Sequence, residues 1–417
     1  MTATSPPPAA RARGWGRRHL AGAVVVVSAV TGGVAGVQLR PAPVSALAAG
    51  AGQSGTPTAP VPRVVVQDTG PDGRVVFARP LSLVAQSGRL TEVTGAHPDG
   101  SPLVGSLTSA GAFTSTGGLS PAATYQLTVT AADLLGAVHS LPLTVRTTAA
   151  SRVLRATVSP RSGAVVGVGM PIVVRLDHDV ADSDRAEVER RLTVRSTPAV
   201  RGAWRWVDDR TLRYRPALHW PARAQVDVTA DLRRLGLADG TAGEASTTAA
   251  VRIGERVVSV VDVEAKTMTV TRDGKVARVM RASMGRPRFA TRGGNHLVLE
   301  KQAVKIMDSA TVGLAKGTDD YYRTRVEWAV RLTYSGTFTH AAPWSVRDQG
   351  VRNVSHGCIN LSPADAKWFY DLARRGDVVE VKGSPLPPRR DDPGTADWNM
   401  PFDSWRAGSA LTADQAP

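Results

Sequence analysis

From Pro62 onward the chain is punctuated too often for long helices. Short β-branched runs alternate with Gly, Pro and Asp: "PRVVVQD", "GRVVFAR", "GAFTST", "TYQLTVTAAD" and "HSLPLTVRTT", ending near Thr148. Strands at this spacing, with turn residues between them, predict a small antiparallel sandwich. A second set follows in "RVLRATVSP", "PIVVRLD", "RRLTVRST", "GAWRWVDDRTLRYRP" and "QVDVTADL", ending near Ile253, and its "DD" reads as a hairpin turn. At 417 residues and 43.9 kDa the chain is too long for one ordinary core, so several domains are expected.

Two modules of this size, spanning 63–148 and 149–253, fit immunoglobulin-like domains. Neither contains a cysteine pair or a catalytic cluster, so they read as spacers or binding surfaces. Trp204, Trp206 and Trp220 could stack on sugar rings, but core and hairpin packing is the stronger expectation. A third, β-rich region spans 254–383 and opens with alternating runs around "RDGK". It carries the chain's main helical signal: Ser362 as N-cap, Pro363 in the first turn, Asp365 reaching back, and Gly376 as the stop. The Trp-rich tail, 384–417, is expected to pack back on this third region.

The N-terminus has no acidic residue before Asp68. The basic "RARGWGRRH" leads into the apolar run Leu20–Val37, then into "VSA" ending at Ala46. That order predicts an export signal over 1–48, either cleaved or kept as a single membrane anchor, followed by a Gly/Ala/Ser/Pro linker over 49–62. Either way the body of the protein is placed outside the cytoplasm. The net charge is +15, but all seven lysines lie at Lys266 or later and the rest of the positive charge is arginine. No basic cluster or nucleic-acid motif accompanies it, so no nucleic-acid partner is expected.

An exported chain with one cysteine cannot form an internal disulfide, and a lone thiol in an oxidising compartment invites a reactive role. That cysteine lies in "NVSHGCINLSP". His340 ends "YSGTFTH", sixteen residues before His356, and Gly357 separates His356 from Cys358. A cysteine with a fold-adjacent histidine is the minimum set for thiol catalysis. An imidazolium ion pair would lower the thiol pKa, and the amides of Gly357 and Cys358 would face the oxyanion. Two histidines and a cysteine could also be a catalytic zinc set, but the absence of an HExxH pairing and the single residue between His356 and Cys358 make this the weaker reading.

The stretch "HAAPWSVRDQGVRNVSHGCINLSPADAKWFYDLARRGDVVEV" resembles the L,D-transpeptidase (YkuD-type) catalytic domain. Its signature is a histidine, a spacer of fourteen residues here, then Ser355, His356, Gly357, Cys358, an apolar residue and Asn360. The resemblance implies a mainly β chain: two immunoglobulin-like sandwiches, a YkuD-type domain with one main helix, and a Trp-rich C-terminal segment. It implies that Cys358 attacks the third stem residue of a peptidoglycan tetrapeptide, meso-diaminopimelate, and expels D-Ala. The side-chain amine of a second stem then resolves the thioester as a 3→3 cross-link. It further implies acylation by carbapenems and no cofactor or metal. His340 matches the base, His356 an assisting histidine, and Gly357 and Cys358 the oxyanion hole. Tyr322, Ser335, Gly336, Asn360, Met307, Trp344 and Ser355 match substrate-contacting or pocket-lining positions. Hydrolysis on the same site, as an L,D-carboxypeptidase, is the alternative outcome, because both reactions share the thioester.

Two departures stand out. Ala341 follows the base where close relatives place Ser, which is harmless if only its carbonyl orients the imidazole. The loop "MGRPRFATRGGNH" lacks the "TPxG" of many members, which bears on substrate trimming.

Overall fold

The computed structural model describes residues 58–77, 79–389, 392 and 397–412. The expected export segment over 1–48, and most of the linker after it, lie outside the described residues. Among the described residues no helix is long and apolar enough to cross a membrane.

The first module is the predicted sandwich. Thr124–Asp133 pairs with Gly88–Thr94 and Val138–Arg146, and buries Tyr125, Leu127, Val129 and Ala131 at every second position. A four-stranded sheet built on Arg63–Val66 and Ser82–Gln86 supplies the opposing layer with Leu81 and Leu83. Each such side chain contributes roughly 1.5–3 kcal/mol by leaving water.

The second module repeats this logic with two four-stranded sheets. Trp204, Trp206 and Trp220 are all buried, and the indole N–H groups of Trp206 and Trp220 donate to Glu189 Oε2 and Met170 O. They are core residues and offer no face to a sugar. The helix Asp182–Glu189 has no counterpart among the sequence expectations.

The third region is one nine-stranded mixed sheet. Its order is Gly294–Leu297, Val378–Lys382, Val257–Asp262, Thr267–Arg272, Lys275–Ser283, Ile359–Leu361, Phe338–Ala341, Arg323–Arg331 and Glu300–Asp308. The predicted helix is Pro363–Leu372, and Ser362 Oγ accepts from the Asp365 amide at 3.1 Å as its cap. Its stop differs from expectation, because Ala373 ends the helix. Gly376, at φ +90°, instead turns the chain where a Cβ would come within 2.6 Å of Met170 Cβ.

That turn is also where the second and third regions meet. Gly167 N–H donates to Arg375 O at 2.8 Å, Gly169 N–H donates to Gly376 O at 2.9 Å, and Leu297 and Val378 complete the second module's core. The tail does not pack on the third region alone. Asn399 holds Asn295, but Trp405 Nε1–H donates to Ala203 O and Arg215 donates to Met400 O. Arg215 draws the tail to the second sandwich by lying within 4.8–5.4 Å of the Trp398, Phe402 and Trp405 ring centres.

Candidate active site

Phe338–Ala341 and Ile359–Leu361 are parallel neighbours, with His340 opposite Asn360 and Thr339 opposite Ile359. Parallel neighbours need a crossover of a dozen or more residues, which is the physical reason for the long spacer between His340 and Ser355. One step back in the register sets Phe338 opposite Cys358. Period two then puts Phe338, His340, Cys358 and Asn360 on one face. All four are buried, and His340, Cys358 and Asn360 line one cavity of about 230 Å³.

Met307, Tyr322, Trp344, Ser355 and His356 line the same cavity. Ser335 and Gly336 do not line it. The Ser335 amide is held by Asp392, and the Gly336 carbonyl accepts from Cys358 Sγ at 3.7 Å.

Burial acts against the charged form of both Cys358 and His340. Burial pushes the Cys358 thiol up to about 11, only partly offset by the Phe338 amide and by Arg331. Burial also holds His340 below its ordinary value, against a smaller upward pull from the Ala341 carbonyl. Both shifts favour the uncharged forms, thiol and imidazole, over the expected thiolate–imidazolium pair.

His340 Nδ1 lies 2.9 Å from Ala341 O. A carbonyl only accepts, so Nδ1 carries the hydrogen and Nε2 presents its lone pair. The orienting group is the carbonyl of Ala341, for which the missing serine hydroxyl is not needed.

The two amides expected at the oxyanion hole differ in their surroundings. Gly357, at φ +119°, donates its N–H to Ser355 Oγ at 3.0 Å, and its carbonyl accepts from Thr291 Oγ1 at 2.8 Å. Ser355 Oγ in turn donates to Cys358 O at 2.6 Å. The Gly357 amide is thus already engaged, and only the Cys358 amide remains of the expected pair.

His356 stacks between Phe289 and Tyr322, with ring centres 4.9 and 4.7 Å away. Its Nε2 is buried with no hydrogen-bond partner among the described residues. Burial and Arg286 lower its pKa against the opposing pull of Asp320, so it too is neutral near pH 7. Asn360 donates to Ser345 Oγ, which also accepts from Gln349 Nε2. Burial raises the Tyr322 phenol to about 12.

Sequence reasoning puts Phe338 on the alternating face of His340 without assigning it a role. It missed Thr291 and Ser345, whose roles arise from contacts distant in sequence.

The fold and site define a chain of immunoglobulin-type sandwich followed by a YkuD-type catalytic sheet. The L,D-transpeptidase catalytic domain model matches residues 256–381, and the bacterial Ig domain model matches 72–235. L,D-transpeptidase 2 of Mycobacterium tuberculosis is 37% identical over 401 residues, covering 94% of this chain and 96% of that protein. L,D-transpeptidase 1 of the same species is 39% identical over 228 residues, covering 55% of this chain and 84% of the relative. A solved L,D-transpeptidase in complex with imipenem is 37% identical and covers 55% of this chain and 99% of that chain, with a TM-score of 0.48. The chain belongs to the L,D-transpeptidase family.

Proposed function

We propose that this protein is an extracytoplasmic peptidoglycan transpeptidase that joins stem peptides through a Cys358 thioester. The observation that carries this reading is the parallel pair that sets His340 and Cys358 on one buried face, in one cavity, with His340 Nε2 free to accept.

Because both groups rest neutral, the proton moves with the attack. His340 Nε2 takes the thiol proton as Sγ bonds to the diaminopimelate carbonyl of a donor tetrapeptide. The Cys358 amide receives the oxyanion. Collapse breaks the bond to D-Ala, and His340 returns the proton to the leaving amine. The side-chain amine of a second stem then gives a proton to His340 and attacks the thioester. A 3→3 amide forms, and Cys358 leaves as a thiol after taking that proton back.

His356 Nε2, buried and unpartnered, supplies a hydrogen-bonding atom for the bound peptide. Tyr322, Met307 and Trp344 shape the cavity around the donor. Ser335 and Gly336 act from outside the cavity wall, through the backbone of the segment that meets the sulfur. No cofactor is assigned to any step. Export or anchoring by the N-terminal segment would place the enzyme at its polymeric substrate.

A carbapenem tests the nucleophile. Intact-protein mass spectrometry is expected to show one covalent adduct on the wild type and none on Cys358→Ala. An adduct on the alanine variant would reject the assignment.

A further inference from the structure

The loop that lacks the family's "TPxG" carries arginines instead, and these converge beside the cavity. Arg286 Nη2 lies 2.6 Å from Asp320 Oδ1, and Arg288 Nη1 lies 2.8 Å from Asp320 Oδ2. Asp320 is itself largely buried, with a side chain 14% exposed, whereas Arg288 is 76% exposed. Both guanidiniums sit over the Phe289 ring, at 4.7 and 5.4 Å, and that ring packs against His356.

The loop is fixed to the catalytic segment, because Arg286 N–H donates to Ser355 O at 3.0 Å. Asp320 stands two residues before Tyr322, which lines the cavity. Two cations thus share one carboxylate next to the cavity-lining His356, and Arg286 is close enough to it to depress its pKa.

Two guanidiniums bridged by one carboxylate present the geometry that each would offer to a carboxylate from outside. Exchanging Asp320 for an incoming carboxylate conserves charge and hydrogen bonds at the arginines. Under the proposed reaction, on which this inference rests, a stem tetrapeptide carries such groups at its terminal D-Ala and at the far end of diaminopimelate.

The geometry points to Arg286 and Arg288 as a carboxylate-recognition site for the stem peptide, which Asp320 occupies in the free enzyme and gives up on binding. The pair is then a specificity determinant of this chain, and Asp320 is an internal competitor.

The test measures binding separately from chemistry, in the full chain carrying Cys358→Ala. Its ligands are disaccharide-tetrapeptides with both carboxylates free, with the D-Ala carboxylate amidated, or with the diaminopimelate side-chain carboxylate amidated. One amide is expected to bind about tenfold or more weakly than the free peptide, the scale of a lost charge-assisted contact. That amide identifies which carboxylate is read.

Adding Arg288→Gln, a surface change that spares folding, or Arg286→Gln, should erase the preference for the free acid. Adding Asp320→Asn should tighten the free acid selectively, because the competitor is gone. A purely structural clasp predicts the opposite pattern: Asp320→Asn weakens all three ligands alike, as the arginine variants do. Equal affinity for the three ligands, that uniform weakening, or no binding of any ligand overturns the proposal. Failure of the transferase reading shows separately, as binding without cross-linked product in the protein that retains Cys358.

Discussion

Burial moves the pKa values of His340 and Cys358 in opposite directions, and under the proposed reaction the consequence is a pH profile. His340 is held below its ordinary value and Cys358 is raised to about 11. The acylation rate, kcat/KM, is expected to rise with pH as His340 loses its proton, through an apparent pKa below 6.5. It should then run flat across neutrality, with no limb near the ordinary thiol value of about 8.5. A stopped-flow carbapenem series over pH checks this, and a thiolate-type rise centred near pH 8.5 would contradict the neutral pair.

At this scale the grouping of Cys358, His340 and His356, which line one cavity, is legible in the sequence, because spacing and residue type carry it. Their protonation is not, since it depends on how dry the site is. Nor is the engagement of the Gly357 amide, which depends on which way Ser355 points.

The crossover between the two parallel strands is the element that builds the site, and Ser355 ties its end together. Its hydroxyl accepts from Gly357 N–H and donates to Cys358 O. Ser355→Ala strips partners from two backbone groups in a buried loop and is expected to cost about 1–3 kcal/mol in urea unfolding. Acylation should slow as the cysteine loop loosens. Unchanged stability and rate would show that the bridge does not hold the loop.

The period-two alternation made the strands legible, and Ser362 with Pro363 made the catalytic-region helix legible. Asp182–Glu189 escaped because "DSDRAEVE" has no apolar stripe at helical spacing, and of its residues only Val188 and Glu189 are buried. The helix stop was misplaced at Gly376 because a positive-φ glycine looks the same in sequence whether it ends a helix or makes room for another module.

At the scale of the molecule, that glycine and its neighbours set the contact between the second sandwich and the catalytic sheet. Asp377 is buried there, and Gly167 has no room for a Cβ, which would come within 2.3 Å of Asp377 Oδ1. Oδ2 accepts from the Arg374 amide, while Oδ1 has no hydrogen-bond partner among the described residues. Burial raises the Asp377 pKa from 3.8 to about 7, with Arg374 and Lys301 pulling the other way.

A carboxyl raised on folding adds most stability at low pH. Its contribution is lost as pH climbs from the unfolded value of 3.8 through the folded value of about 7. Asp377→Asn is therefore expected to change stability little at pH 4 and to raise it at pH 8, by up to about 4 kcal/mol. Thermal unfolding at the two pH values checks the sign, and a variant less stable at pH 8 would contradict it. Such cross-module contacts, like the tail's attachment through Arg215, involve residues far apart in sequence and leave no periodic trace, so the tail's partner was assigned only in part.

The claim that organises all three scales is that His340 and Cys358 transfer an acyl group between stem peptides. Incubating the protein with purified disaccharide-tetrapeptide and resolving the products by mass spectrometry tests it most directly. The account predicts a cross-linked dimer lighter than two monomers by one D-Ala, formed by the wild type and absent with Cys358→Ala. Free tripeptide without dimer, dimer formation by the alanine variant, or unchanged tetrapeptide would contradict it.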